Sequence, residues 1–287
     1  MAKEKEARRP FNLKKEVKLL PGYIILLLWV IFTIALLGWV FGASFSTTAE
    51  IFQGKALKFE SGLHFENYAK AWNGAGVAGF FGNSLIYSVI SCTILILVCA
   101  PAAYVLSRFD FKCNKFLLLF FMLGMMVPVH CILIPLFVRF AGLGLTNSRV
   151  GLMIPYITFS LPMTIFLLTG FFKSMPGELF EAAAIDGCGI YGCFFRIALP
   201  LCRTGFFVSG LMTFVGNWNE LLLAMVFISD PVKKTLPVTL TYFVGPYATN
   251  YVQMFAAIII AIAPTVIVYC LFSNQIVEGL TTGAVKG

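Results

Sequence analysis

A carboxylate, two amides and an indole stand together at Asn217-Trp218-Asn219-Glu220, near the middle of an apolar run. Amides and a carboxylate can divide the hydroxyls of a polyhydroxylated ligand among them, and an indole can stack on the apolar face of a sugar ring. Polar side chains are costly inside an apolar span, which makes them the first candidates for a pathway. The competing role is interhelical, with Asn219 and Glu220 holding one helix to another, including one from a second subunit. Asn83 and Ser84, at the mouth of another run, pose the same choice more weakly. So do Tyr156, Ser160, Met163 and Thr164 in a third. His130 is expected inside a helix bundle and His64 solvated in a loop. No nucleophile, base and acid gather near one face, and no metal-spaced cysteine or histidine cluster occurs, so catalytic and metal roles are not indicated. The eight cysteines read as small hydrophobes and reduced thiols.

A second constellation runs from Lys173 to Gly187, Lys-Ser-Met-Pro-Gly-Glu-Leu-Phe-Glu-Ala-Ala-Ala-Ile-Asp-Gly. Ser174 is expected to cap a helix, Pro176 to fit its first turn and Glu178 to complement its positive end. Glu181 to Ala184 are strong helix formers, and Gly187 suits a left-handed terminator. A second short helix is expected over 190–197, ending before Pro200. Glu181 and Asp186 place this hairpin outside lipid. The small Ala182, Ala183 and Ala184 admit another backbone closely, and Phe194 and Phe195 offer apolar knobs. Two roles fit: a lever docked on a separate cytosolic protein, or an interfacial amphipathic connector.

The elements that must carry these residues are membrane helices. Of 287 residues only 12% are charged and 59% are hydrophobic, 30 of them Phe, and the mean hydropathy is +0.89. So few charges cannot cover a soluble surface. Six apolar runs, at about 22–43, 84–106, 116–138, 150–171, 205–228 and 253–275, are each long enough, or nearly so, for a layer of roughly 30 Å. The first is too long for a signal peptide. Pro128 and Pro135 interrupt the third, which predicts a helix packed inside the bundle; Pro155, Pro162 and Pro264 invite the same reading of the fourth and sixth. The expected organisation is a basic segment over 1–20, a membrane domain over 21–280 holding a cytoplasmic loop over 172–204, and a tail over 281–287. Seven basic residues lie in the first eighteen positions (Lys3, Lys5, Arg8, Arg9, Lys14, Lys15 and Lys18). They read as a cytoplasmic anchor touching anionic lipid, not as a nucleic-acid site. With both termini inside, fourteen of the 21 basic residues are cytoplasmic and seven external. The external segment over 44–83 is long enough for a small cap, though a plain solvated loop reads almost as well.

Glu181-Ala182-Ala183, Asp186-Gly187, Ile197 and Leu199-Pro200 resemble the signature loop of bacterial ABC importer permeases. The carbohydrate branch, and its smaller maltose-type subunit in particular, is resembled at further places. These are Glu66-Asn67-Tyr68 with Trp72, Asn83-Ser84-Leu85-Ile86, Ala102-Ala103-Tyr104 with Leu106-Ser107-Arg108, Trp218-Asn219-Glu220 and the terminal 279–287. The resemblance implies an all-α, six-span, type I importer fold. It implies that Glu181, Ala182, Ala183, Asp186 and Gly187 form a coupling helix seated on an ATPase, braced by Phe194 to Pro200. The family usually carries a second proline where this chain has Thr204, which implies a less kinked start to the fifth span. A second homologous permease, two copies of a cytosolic ABC ATPase holding ATP and Mg2+, and a solute-binding protein are the implied partners, in a bacterial inner membrane. The chain carries no G-x-x-x-x-G-K-[ST] phosphate loop, so hydrolysis belongs to another subunit and no cofactor is expected here. Importers of other solutes remain open. An ion-coupled transporter is disfavoured, because only Glu220 could serve as a buried ion ligand.

Overall fold

The computed structural model describes residues 13–243 and 250–284, so Lys3, Lys5, Arg8, Arg9 and Lys286 lie outside it. Apolar length dictates the architecture: α1 (Leu13–Ala43), α4 (Val77–Arg108), α7 (Arg149–Ser174) and α14 (Tyr251–Ala284) are long, continuous helices. Between them come α2 (Thr48–Phe52), α3 (Glu66–Ala69), α5 (Asn114–Gly124) and α6 (Val129–Gly142). After α7 follow α8 (Glu178–Ile185), α9 (Ile190–Cys193), α10 (Leu199–Leu201), α11 (Arg203–Trp218), α12 (Leu222–Phe227) and α13 (Leu236–Leu240). Four helices are long and apolar enough to cross a membrane, and six spans result if the bent pairs α5–α6 and α9–α11 each count as one.

The bends depart from the expected straight runs. In the third span, Met125, Met126 and Val127 close tight turns onto Met122, Leu123 and Gly124, and Pro128 then takes extended backbone, so α6 leaves α5 at 91°. Proline and the restriction it places on its predecessor explain the break there. This span is not packed inside the chain's own bundle as its prolines suggested: α5 buries no residue and α6 only Phe140. The fifth span also differs, because the helix continues through Pro200 by way of a π-type turn over Phe194–Ala198 and turns by 69° into α11. Pro101, Pro155, Pro162 and Pro264 all sit inside continuous helices.

Helices α4 and α7 form the axis of the bundle. Leu95, Cys99, Ala103, Ile165, Leu168 and Phe172 are buried between them. Nearer the other end, Tyr87, Leu152 and Tyr156 pack with Leu223 and Phe227 of α12. The 44–83 segment is folded. Thr47 caps α2, and the carboxylate of Glu50 accepts from the amides and hydroxyls of both Thr47 and Ser61, at 2.8 to 3.0 Å. Asn67 Nδ2 ties this cap to the carbonyls of Ser44 and Ser46 at the end of α1. His64 is not simply solvated: Nδ1 lies 2.7 Å from Glu66 Oε1 and Nε2 lies 3.0 Å from Ser61 Oγ.

Candidate functional site

The Lys173–Gly187 loop builds α8 from the alanines and glutamates that favour a helix. Its start is not capped by Ser174, whose hydroxyl instead donates to Phe171 at the end of α7; Gly177 holds the cap position without a side-chain bond. Gly187 takes φ 76°, and Gly187 N and Cys188 N donate to Ala184 O and Ala183 O. This is the left-handed helix ending that only glycine adopts without strain. Glu181, Ala182 and Asp186 face outward while Ala183 packs inward. Ile185 and Tyr191 are 86% and 82% exposed, and Phe195 stands out beside them. Phe194, the other expected knob, is buried against Tyr104. An exposed helix tip of small and apolar residues therefore projects from the bundle.

Beneath the tip lies a cavity of about 330 Å³, bordered by Tyr104, Arg108, Phe180, Glu181, Cys188 and Cys193. Arg108 donates to the carbonyls of Phe172 and Met175 at 2.5 and 2.9 Å, and its guanidinium sits 4.1 Å from the centre of the Phe180 ring. In the sequence Arg108 stands out as a cytoplasmic charge and as part of the Leu106-Ser107-Arg108 resemblance; these contacts are not legible there, because the carbonyls it holds lie more than sixty residues away. All eight cysteines are free thiols. Among the described residues no three His, Cys, Asp or Glu side chains form a metal-holding group.

The Asn217-Trp218-Asn219-Glu220 constellation is not in mid-helix. Helix α11 ends at Trp218, and the chain breaks at Asn219-Glu220-Leu221 before α12 begins. Glu220 caps α12: Oε1 accepts from Leu223 N at 2.7 Å, and Oε2 accepts from Ala224 N at 3.0 Å and Tyr156 Oη at 2.9 Å. Trp218 is 1% exposed, donates Nε1–H to the Ala261 carbonyl at 3.0 Å, and packs against Phe81 and Phe214. That indole has no free face for a ligand in this conformation. Asn217 is buried with an unpartnered Nδ2, while Asn219 is exposed and donates to Val215 O. Asn83 and Ser84 turn to the other end of the chain: Asn83 Nδ2 donates to Val232 O and Lys234 O at 2.7 and 3.0 Å, and Ser84 Oγ accepts from Leu236 N at 2.8 Å. Ser160 and Met163 lie beside Thr164, whose hydroxyl donates to Ser160 O. His130 is exposed, not interior.

The chain matches the family described as "Binding-protein-dependent transport system inner membrane component" over residues 93–278. It is 34% identical over 267 residues to the diacetylchitobiose uptake system permease protein NgcG of Streptomyces coelicolor, covering 92% of this chain and 88% of that one. It is also 34% identical, over 87% of both chains, to the sulfoquinovosyl glycerol transport system permease protein SmoH of Agrobacterium fabrum. The fold is similar to a crystal structure of a bacterial ABC transporter involved in the import of the acidic polysaccharide alginate, with TM-score 0.80 and 20% identity over 93% of this chain and 99% of that one. The chain belongs to the binding-protein-dependent inner-membrane component family and is a permease subunit of an ABC importer.

Proposed function

We propose that this subunit forms half of a sugar-conducting pathway and is driven through α8 by a separate ATPase. The observation that carries the reading is the exposed helix tip at Glu181–Gly187, which lies between the apolar helices α7 and α11 in the chain. In this reading Glu181, Ala182, Ala183, Asp186 and Gly187 seat in a groove of one of two ATPase copies, which hold ATP and Mg2+. A second homologous permease completes the pathway, and a solute-binding protein delivers the ligand to the external face. Closure of the ATPase pair opens the pathway outward, and reopening releases solute to the cytoplasm. Both termini face the cytoplasm, on the distribution of basic residues. A mono- or oligosaccharide-like solute is supported by the relatives, named for diacetylchitobiose, sulfoquinovosyl glycerol and trehalose uptake.

Uptake of radiolabelled sugars by the reconstituted complex, with ligands selected by its purified binding protein, tests the solute class; transport confined to amino acids or peptides would overturn it. Gly187→Pro tests the docking. Proline fixes φ near −65° and cannot adopt the positive φ of this position. The variant is expected to insert normally and to lose the ATPase on co-purification. Full retention of the ATPase would exclude the docking role.

A further inference from the structure

Helix α8 hangs from α7 by Met175-Pro176-Gly177 and returns to α9 through Gly187-Cys188-Gly189. A lever mounted on two such short joints deflects its own loop before it displaces a membrane helix. Arg108 supplies a second attachment that does not run through the chain. It is the last residue of α4, and it reaches across to two carbonyls at the end of α7, Phe172 and Met175, while its guanidinium covers Phe180 of α8. Carbonyls at a helix end lack intrahelical donors and carry the negative end of its dipole, and a single guanidinium nitrogen, Nη2, donates to both while the group lies over the Phe180 ring. Tyr104, one turn earlier on α4, lies against the rings of Phe172, Phe180 and Phe194, so the same helix face touches α7, α8 and the turn after α9.

At its other end α4 holds an external loop. Asn83 and Tyr87 donate to the carbonyls of Val232, Lys233 and Lys234, and Ser84 accepts from Leu236 N. Helix α4 has 32 residues without a break, and at about 1.5 Å per residue it reaches about 48 Å. The geometry points to Arg108 as the positioning residue that fastens α8 to α4, so that movement of α8 is carried along one helix to the loop at 231–236. This inference rests on the importer reading above. It adds which helix receives the stroke and which side chain transmits it. Arg108 makes no contact with nucleotide or solute in this scheme.

The test uses the whole complex in lipid, with ATP hydrolysis measured with and without liganded binding protein. Arg108→Ala is expected to co-purify with the ATPase in full amount and to keep unstimulated hydrolysis within about twofold. Stimulation by the liganded binding protein should fall tenfold or more, and uptake should fall with it. Arg108→Lys, which keeps the charge and a terminal donor but loses the planar guanidinium over Phe180, is expected to recover part of the stimulation. Asn83→Ala, at the far end of α4, should weaken stimulation without touching the cytoplasmic loop. Normal stimulation in Arg108→Ala, loss of the ATPase from that variant, or no recovery in Arg108→Lys would each overturn the linkage. Failure of the wild-type complex to respond to any liganded binding protein would overturn the importer reading and the linkage with it.

Discussion

At the scale of single residues, Glu220 shows how far local chemistry depends on distant neighbours. Both of its oxygens are occupied, by two amides that open α12 and by the Tyr156 hydroxyl from α7. Glu220→Gln presents an amide donor where three donors already converge, and a donor left unpaired in a partly buried site costs about 1–3 kcal/mol. We expect a corresponding fall in the thermal midpoint of the purified subunit in detergent, and a smaller one for Tyr156→Phe. Equal midpoints for Glu220→Gln and wild type would show that the clamp is not formed. Glu50 gives a pH signature in the cap over 44–83. Backbone and hydroxyl donors from Ser61 and Thr47 hold its carboxyl down from 4.5 to about 2. A depressed carboxyl stabilises the fold above its unfolded value and loses that contribution as pH falls through the folded one. Amide exchange over 47–61 should therefore be flat from neutral pH to about 5, after correction for intrinsic rates, and rise between about 4.5 and 2; Glu50→Gln should abolish that rise. The polar residues were easy to notice in the sequence, but their work was not. The partners of Asn83 lie about 150 residues away, and no local pattern encodes them.

At the scale of elements, apolar length located the membrane helices, and the alanines with Gly187 located α8. The breaks were less legible. A run of hydrophobic residues reads the same whether the helix continues or turns, since lipid and protein interiors accept the same side chains. Thus Pro128 breaks the third span, whereas Pro155 and Pro162 are absorbed in α7, where neighbouring helices bury them. Next to the bend into α11 lies a close approach that composition hides. Gly205 lies so close to α7 that an added Cβ would meet Phe171 Cγ at 2.7 Å and Cys202 Sγ at 2.9 Å. Gly205→Ala should push α11 from α7 and destabilise the subunit by about 1–3 kcal/mol, the usual cost of overpacking. Gly216→Ala, on the same helix with open space around it, is the matched control and should leave the thermal midpoint unchanged or raise it. Equal midpoints for the two variants would show that the approach of Gly205 to α7 is not tight.

At the scale of the whole molecule, burial is uneven in a way that sets the orientation problem. The most apolar stretches of α4 and α7 are 39% and 44% buried, while that of α1 is not buried at all. Helices α4 and α7 are thus the axis of this subunit, and α1 and α5 present their sides to whatever surrounds it. Which end of that axis faces the cytoplasm is proposed on the distribution of basic residues, and the folded loops make it measurable. Cys113 is exposed in the turn between α4 and α5, on the same side as α8, and the cap carrying Lys58 lies at the opposite ends of the helices. In intact cells a membrane-impermeant maleimide should leave Cys113 unmodified, and permeabilisation should add labelling that Cys113→Ser removes. Lys58→Cys should gain labelling before permeabilisation. Cys113 reacting in intact cells would invert the chain in the membrane. Helix α8 would then face outward, away from any cytosolic ATPase, so this one accessibility measurement bears on the orientation, the coupling loop and the direction of transport together.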